Sequence, residues 1–106
     1  MAMEGFVKQS FLYDFYGDLL TEHQKEIYES YIQDNLSLAE IAEETGVSRQ
    51  AVHDVIKRCN VLLEGYEERL HLVEKFVEVR SLAKEIEKCE SLDEAKKIAS
   101  EIAEKF

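Results

Sequence analysis

The residues best suited to chemistry lie between positions 48 and 58: Ser48, Arg49, Gln50, His53, Asp54, Lys57 and Arg58. On a helix, Arg49, Gln50, His53 and Lys57 share an outward face, and these side-chain types hydrogen-bond base edges in a DNA major groove. The Ser48 hydroxyl and the amides of the first turn suit a phosphate. From Ser48 to Asn60, Arg49, Lys57 and Arg58 stand against Asp54, a local balance of +2 in a chain of formal net charge -10. An acidic body repels a polyanion at long range, so a local reversal of sign is what nucleic-acid binding requires here. Three cations neutralise few phosphates, which predicts weak binding by one copy. Asp54 opposes the phosphates unless it pairs with Arg58 four residues on, and dimerisation would add contacts. The same residues also fit a second reading, as solvated charges on a packing unit or on a surface for another protein.

Other chemistries find less support. His23, His53 and His71 are far apart in sequence, with no carboxylate or cysteine at a ligand-set spacing. Cys59 and Cys89 stand alone rather than in CxxC pairs, which reads as reduced, packed thiols more readily than as a disulfide. No glycine-rich phosphate loop and no nucleophile–base pairing is present, so the expectation is a protein that is not an enzyme and needs no cofactor or metal. Phe11, Tyr13, Phe15, Tyr16, Tyr28 and Tyr31 could stack bases, but without interleaved basic residues they read as core.

The elements that must position the 48–58 segment are helices. Proline is absent and there are four glycines in 106 residues, so local propensity favours helix nearly everywhere and an all-α fold. Phe11, Leu12, Phe15 and Tyr16 form one face of a first helix over residues 6–16, extended by Leu19 and Leu20, with Gly17 as its stop. Thr21 and Gln24 form a capping box before a helix that buries Ile27, Tyr28, Tyr31 and Ile32. Asp34-Asn35 breaks it. Ser37 and Glu40 cap a short helix with Leu38, Ile41 and Ala42 inward; Gly46 ends that helix and Ser48 caps the next. The small Ala42, the turn at Gly46, the inward Val47 and the anchors Val52 and Val55 make a helix-turn-helix within residues 38–58.

Beyond it, a 3-4 apolar spacing runs on to Val77, giving either one long helix from Ser48 to Val79 or two helices parted at Gly65. Ser91 and Glu94 open a terminal helix carrying Ala95, Ile98, Ala99 and Ile102. The length and the 45% apolar content predict a single helical domain over residues 1–106, whose extension over 65–106 is a candidate dimer interface. With no apolar run near bilayer length and no basic-then-apolar leader, the expected location is cytoplasmic.

Residues 21–63, with EIAEETGVSRQAVHDVIKR at their centre, resemble region 4 of bacterial sigma factors, the helix-turn-helix domain that reads the promoter −35 element. More closely, LYDFYGDLLTEHQKEIYESYIQDNLSLAEIAEETGVSRQAVHDVIKR together with LLEGYEERLHLVEKF resembles the YlxM family of small bacterial helix-turn-helix proteins. That resemblance implies a DNA-binding or regulatory protein whose recognition helix carries Ser48, Arg49, Gln50, Ala51, His53, Asp54, Lys57 and Arg58. It also implies a link to the signal recognition particle pathway, whose genes neighbour those of the family. The competing expectation is an adaptor whose acidic helices engage a basic protein such as a component of that particle. The tail after Val79 carries least of the resemblance.

Overall fold

The computed structural model describes residues 5–106, and every regular element among them is helical. In chain order these are α1 (Gly5–Tyr16), a short 3-10 turn (Gly17–Leu19), α2 (Glu22–Ile32), α3 (Leu38–Thr45), α4 (Arg49–Leu70), α5 (Leu72–Lys88) and α6 (Leu92–Glu104). They divide into two compact units, one reaching to Leu70 and the other from His71 to Phe106.

The caps set the helix starts. Thr21 Oγ1 accepts from the Gln24 amide at 3.2 Å while Gln24 Oε1 accepts from the Thr21 amide at 3.0 Å. Ser37 and Glu40 repeat that exchange at 3.1 Å in both directions. These are the reciprocal boxes expected from Thr-x-x-Gln and Ser-x-x-Glu, each satisfying two amides that a helix start leaves orphaned. Ser91 accepts from the Glu94 amide at 3.3 Å, which is the forward half of such a box. Between α2 and α3 the chain turns through Asn35, whose φ of 54° is the left-handed conformation that asparagine tolerates.

The first unit is organised around α4, which packs against α1, α2 and α3. Its core comprises Leu12, Tyr13 and Tyr16 of α1, Leu20 just after the 3-10 turn, Ile27, Tyr28 and Ile32 of α2, Ile41 of α3, and Val52, Ile56, Cys59 and Leu63 of α4, all buried. The buried face of α1 departs from the expected one. Leu12, Tyr16 and Leu20 are buried as expected, but Phe15 is 39% and Leu19 58% exposed while Tyr13 is buried. The reason lies in Tyr13, whose ring stacks on Tyr28 with centroids 5.5 Å apart while its phenol donates to the Glu29 carboxylate. A Tyr that gains both a ring partner and a satisfied hydroxyl outcompetes Phe15 for the interior. Tyr31 is half-buried and meets Tyr28 edge-on at 6.0 Å, so the aromatic residues of α2 serve the core as expected.

Neither alternative for the long helix holds. α4 runs through Gly65 and ends at Leu70, and the break falls at His71, which adopts φ 56° and ψ 28°. Contacts from α1 straddle the glycine: Gln9 Nε2 donates to Glu64 Oε1 at 3.0 Å, and Tyr16 donates to Glu67 and lies 6.0 Å from the Tyr66 ring. Packing on both sides of Gly65 outweighs its helix-propensity cost of about 1 kcal/mol. In the second unit α6 packs on α5, with Ile98 buried, Lys105 paired with Glu78 at 3.2 Å and Lys75 5.6 Å from the Phe106 ring centroid. Both cysteines are free, Cys59 buried and Cys89 half-buried. No helix among the described residues is long and apolar enough to cross a membrane.

Candidate nucleic-acid interface

The turn between α3 and α4 is built from local chemistry. Gly46 follows α3 at φ 76° and ψ 10°, and its amide donates to Ala42 O at 3.0 Å. A residue with a Cβ is disfavoured in that conformation, and glycine is not. Thr45 Oγ1 donates to Ile41 O at 2.7 Å, occupying a carbonyl in the last turn of α3. Ser48 Oγ then accepts from the Ala51 amide at 3.1 Å and starts α4. Ile41 and Val52 are fully buried on the two sides of the turn, with Val47 and Val55 half-buried beside them.

Burial of Val52, Ile56 and Cys59 fixes the rotation of α4, so the positions between them face solvent. Ser48, Arg49, Gln50, His53, Asp54, Lys57 and Arg58 are all exposed, and Ala51 is half-buried at the edge of the face. The fold thus brings the eight sequence candidates onto the first three turns of one helix. Among the described residues, Arg49, Lys57 and Arg58 form no ion pair, so their charge is available to a ligand.

Asp54 does not take Arg58 as its partner. Its Oδ1 accepts from Gln50 Nε2 at 3.0 Å and lies 3.5 Å from His53 Nδ1. Gln50 and Arg58 are each four residues from Asp54, so spacing alone did not choose between them. The local charge balance is unchanged, but the carboxylate is held by an uncharged amide and an imidazole rather than neutralised by an arginine.

Two features of this surface escaped the sequence reading. Val61 is 66% exposed and extends the outer face of α4 by one turn beyond Lys57, a position that the apolar periodicity skips and that only the fixed rotation of the helix reveals. On the other side of the turn, α3 exposes Glu40, Glu43 and Glu44. Hydrogen bonds from the Ser37 amide and hydroxyl hold the Glu40 carboxyl below the usual carboxylate range. Glu43 and Glu44 sit in the last turn of α3, where the helix dipole disfavours negative charge. The basic face of α4 therefore has an acidic flank. Its sequence signal was the EETG junction itself, with the two carboxylates Glu43 and Glu44 just before the turn.

Among the described residues no group of three or more His, Cys, Asp or Glu side chains is placed to hold a metal ion. The arrangement offers a solvent-facing helix with donors of base-reading type, presented by a turn that fixes its orientation.

The sequence of residues 3–106 matches the UPF0122 family, described as "Putative helix-turn-helix protein, YlxM / p13 like". A UPF0122 protein of Desulforamulus reducens is 45% identical over 113 aligned positions covering 97% of each chain. One from Shouchella clausii is 48% identical over 89 positions, 84% of this chain and 82% of its own. Another, from Clostridium kluyveri, is 53% identical over 73 positions, covering 69% of this chain and 66% of that relative. Identity at this level over nearly the full length leaves one conclusion about ancestry: the chain belongs to the UPF0122, or YlxM, family of helix-turn-helix proteins.

Proposed function

We propose that this protein is a DNA-binding regulator that lays the outer face of α4 in the major groove, with Ser48, Arg49, Gln50, Ala51, His53, Asp54, Lys57 and Arg58 as its contact surface. The observation that carries this reading is the exposed face of α4, where three unpaired cations stand in a chain of net charge -10. Ser48 and the first-turn amides of α4 meet a phosphate, Arg49, Gln50 and His53 face base edges, and Lys57 and Arg58 reach the backbone. With the acidic flank of α3 alongside, one copy binds weakly, and a homodimer doubles the phosphate contacts. The resemblance to sigma region 4 supports the same docking geometry. The site of action on this reading is the cytoplasm.

The test is fluorescence anisotropy on duplex DNA from low to moderate salt. Three phosphate contacts per copy give a salt slope no steeper than about −3, doubling in a dimer. Lys57→Ala lowers affinity and flattens the slope by about 1 per copy, whereas Arg49→Ala lowers affinity and relaxes base preference with a smaller change of slope. Absence of binding by the wild type, or variants indistinguishable from it, overturns the reading.

A second reading is favoured by the exposed carboxylates Glu22, Glu26, Glu40, Glu43 and Glu44 on α2 and α3. These suit an adaptor that engages a basic protein, such as a component of the signal recognition particle. Binding to that particle's protein that survives nuclease and is lost when these glutamates become glutamines, with no affinity for duplex DNA, selects the adaptor.

A further inference from the structure

Resting on the DNA-binding reading, we infer that Gln50 selects adenine in the major groove and that Asp54 is the positioning residue that gives it this preference. The Gln50 amide nitrogen donates one hydrogen to Asp54 Oδ1 at 3.0 Å, and His53 Nδ1 lies 3.5 Å from the same oxygen. All three side chains are exposed on the outer face of α4.

A glutamine amide has two donors and one acceptor group. With one N–H committed to Asp54, what remains is one N–H beside one carbonyl oxygen. That pair complements adenine, whose major-groove edge presents N7 as acceptor and the N6 amino group as donor. Guanine presents two acceptors, N7 and O6, so the glutamine carbonyl would face O6 with no hydrogen between them. The Asp54 contact also removes amide rotamers that a lone surface glutamine would have to surrender on binding, so less ordering accompanies recognition. Asp54 thus repels the phosphate backbone but shapes which base the neighbouring amide accepts, and sequence preference rather than affinity is where its effect is read.

The test starts from the duplex that wild-type protein selects out of a randomised library, followed by single-position changes measured by fluorescence anisotropy. At one adenine, replacement by guanine weakens wild-type binding about 5-fold or more, as loss of a bidentate base contact does. Replacement by 7-deazaadenine, which lacks the N7 acceptor, weakens it there as well. In Gln50→Ala both substitutions become neutral, and Gln50→Glu, which lacks the N–H but keeps an acceptor for N6, becomes insensitive to 7-deazaadenine alone. Asp54→Ala removes the acceptor, frees the second N–H of Gln50 and narrows the adenine-over-guanine ratio, while the salt slope does not become shallower. Both residues are exposed, and unchanged circular dichroism and melting confirm the fold of each variant. Equal penalties in wild type and Gln50→Ala, or wild-type binding with no base preference, overturn the inference and leave DNA binding standing. Failure of the wild type to bind any duplex overturns both.

Discussion

The phenol of Tyr28 donates to the side-chain oxygen of Asn60, with Gln9 Oε1 3.1 Å away sharing the same donor, and so ties α2 to the middle of α4 and to α1. Tyr28 is fully buried, and a hydroxyl at that depth is costly unless bonded. Tyr28→Phe leaves the ring packing in place but strips two amide oxygens of their donor. A loss of about 1–2 kcal/mol is expected, read as a lower urea midpoint with an unchanged m value.

Three glycines respond to alanine in three ways. At Gly46 an added Cβ meets nothing within 4 Å, but φ is 76°, so Gly46→Ala destabilises by about 1–2 kcal/mol through backbone conformation, and Gly46→Asn by less. At Gly17 the new Cβ would lie 2.8 Å from Tyr13 Cε1, a ring fixed by stacking on Tyr28, so Gly17→Ala is destabilising through overlap. At Gly65, inside α4 with open space around it, Gly65→Ala raises stability by up to about 1 kcal/mol. Thermal melts of the three variants separate strain, overlap and propensity.

The cysteines differ in accessibility. Burial pushes the Cys59 thiol up to about 11, whereas Cys89 is half-buried and donates to Ile86 O at 3.1 Å. With a chromogenic disulfide at pH 8, Cys89 reacts in the native protein and Cys59 waits for unfolding. Rapid reaction of both thiols in the native state contradicts this.

The same burial makes stability fall in alkali. Below about pH 7.5 the Cys59 thiol is protonated in both folded and unfolded chains and contributes no pH dependence. Between there and about 11 the unfolded chain loses a proton that the folded one keeps, so stability declines as pH rises. Tyr13 and Tyr28 act in the same direction above about pH 10. Burial raises both phenols, and for Tyr13 the Glu29 carboxylate adds to it. Urea midpoints at pH 8, 9.5 and 11 should fall in order, and Cys59→Ala should remove most of the first step.

Removing the cap of α4 tests the turn itself. Ser48→Ala deletes the bond to the Ala51 amide and costs about 1 kcal/mol, whereas Ser48→Asp restores the acceptor and adds a charge that the helix N-terminus favours. Urea denaturation distinguishes the two, and equal stability of the two variants would count against the cap.

What was legible in the sequence was local. Thr21 with Gln24, Ser37 with Glu40, and Gly46 with Ser48 each act within four residues, and each forms the expected contact. The exposed set on α4 followed from where Val52 and Ile56 must be buried. The rest depended on partners distant in the chain. Aromatic residues lie on adjoining faces of α1, and the Tyr13 contacts with Glu29 and Tyr28 decide which face is interior. Gly65 left a continuous helix and a break equally open, and the contacts of α1 with Glu64 and Glu67 on either side of it decide for continuity. Asp54 had candidate partners one turn away in both directions, and side-chain geometry rather than pattern settled on Gln50.

Helix α4 serves two purposes along one rod. Its first turns carry the proposed reading face, and its later turns, through Asn60, Glu64 and Glu67, are gripped by α1 and α2. Gln50 and Glu67 are about 25 Å apart along the axis at 1.5 Å per residue. The arrangement is a lever: a tilt of about 3° at the gripped end swings the other by roughly 1 Å over that length. Substitutions at Gln9 or Tyr16, far from any base, would then act as errors of aim.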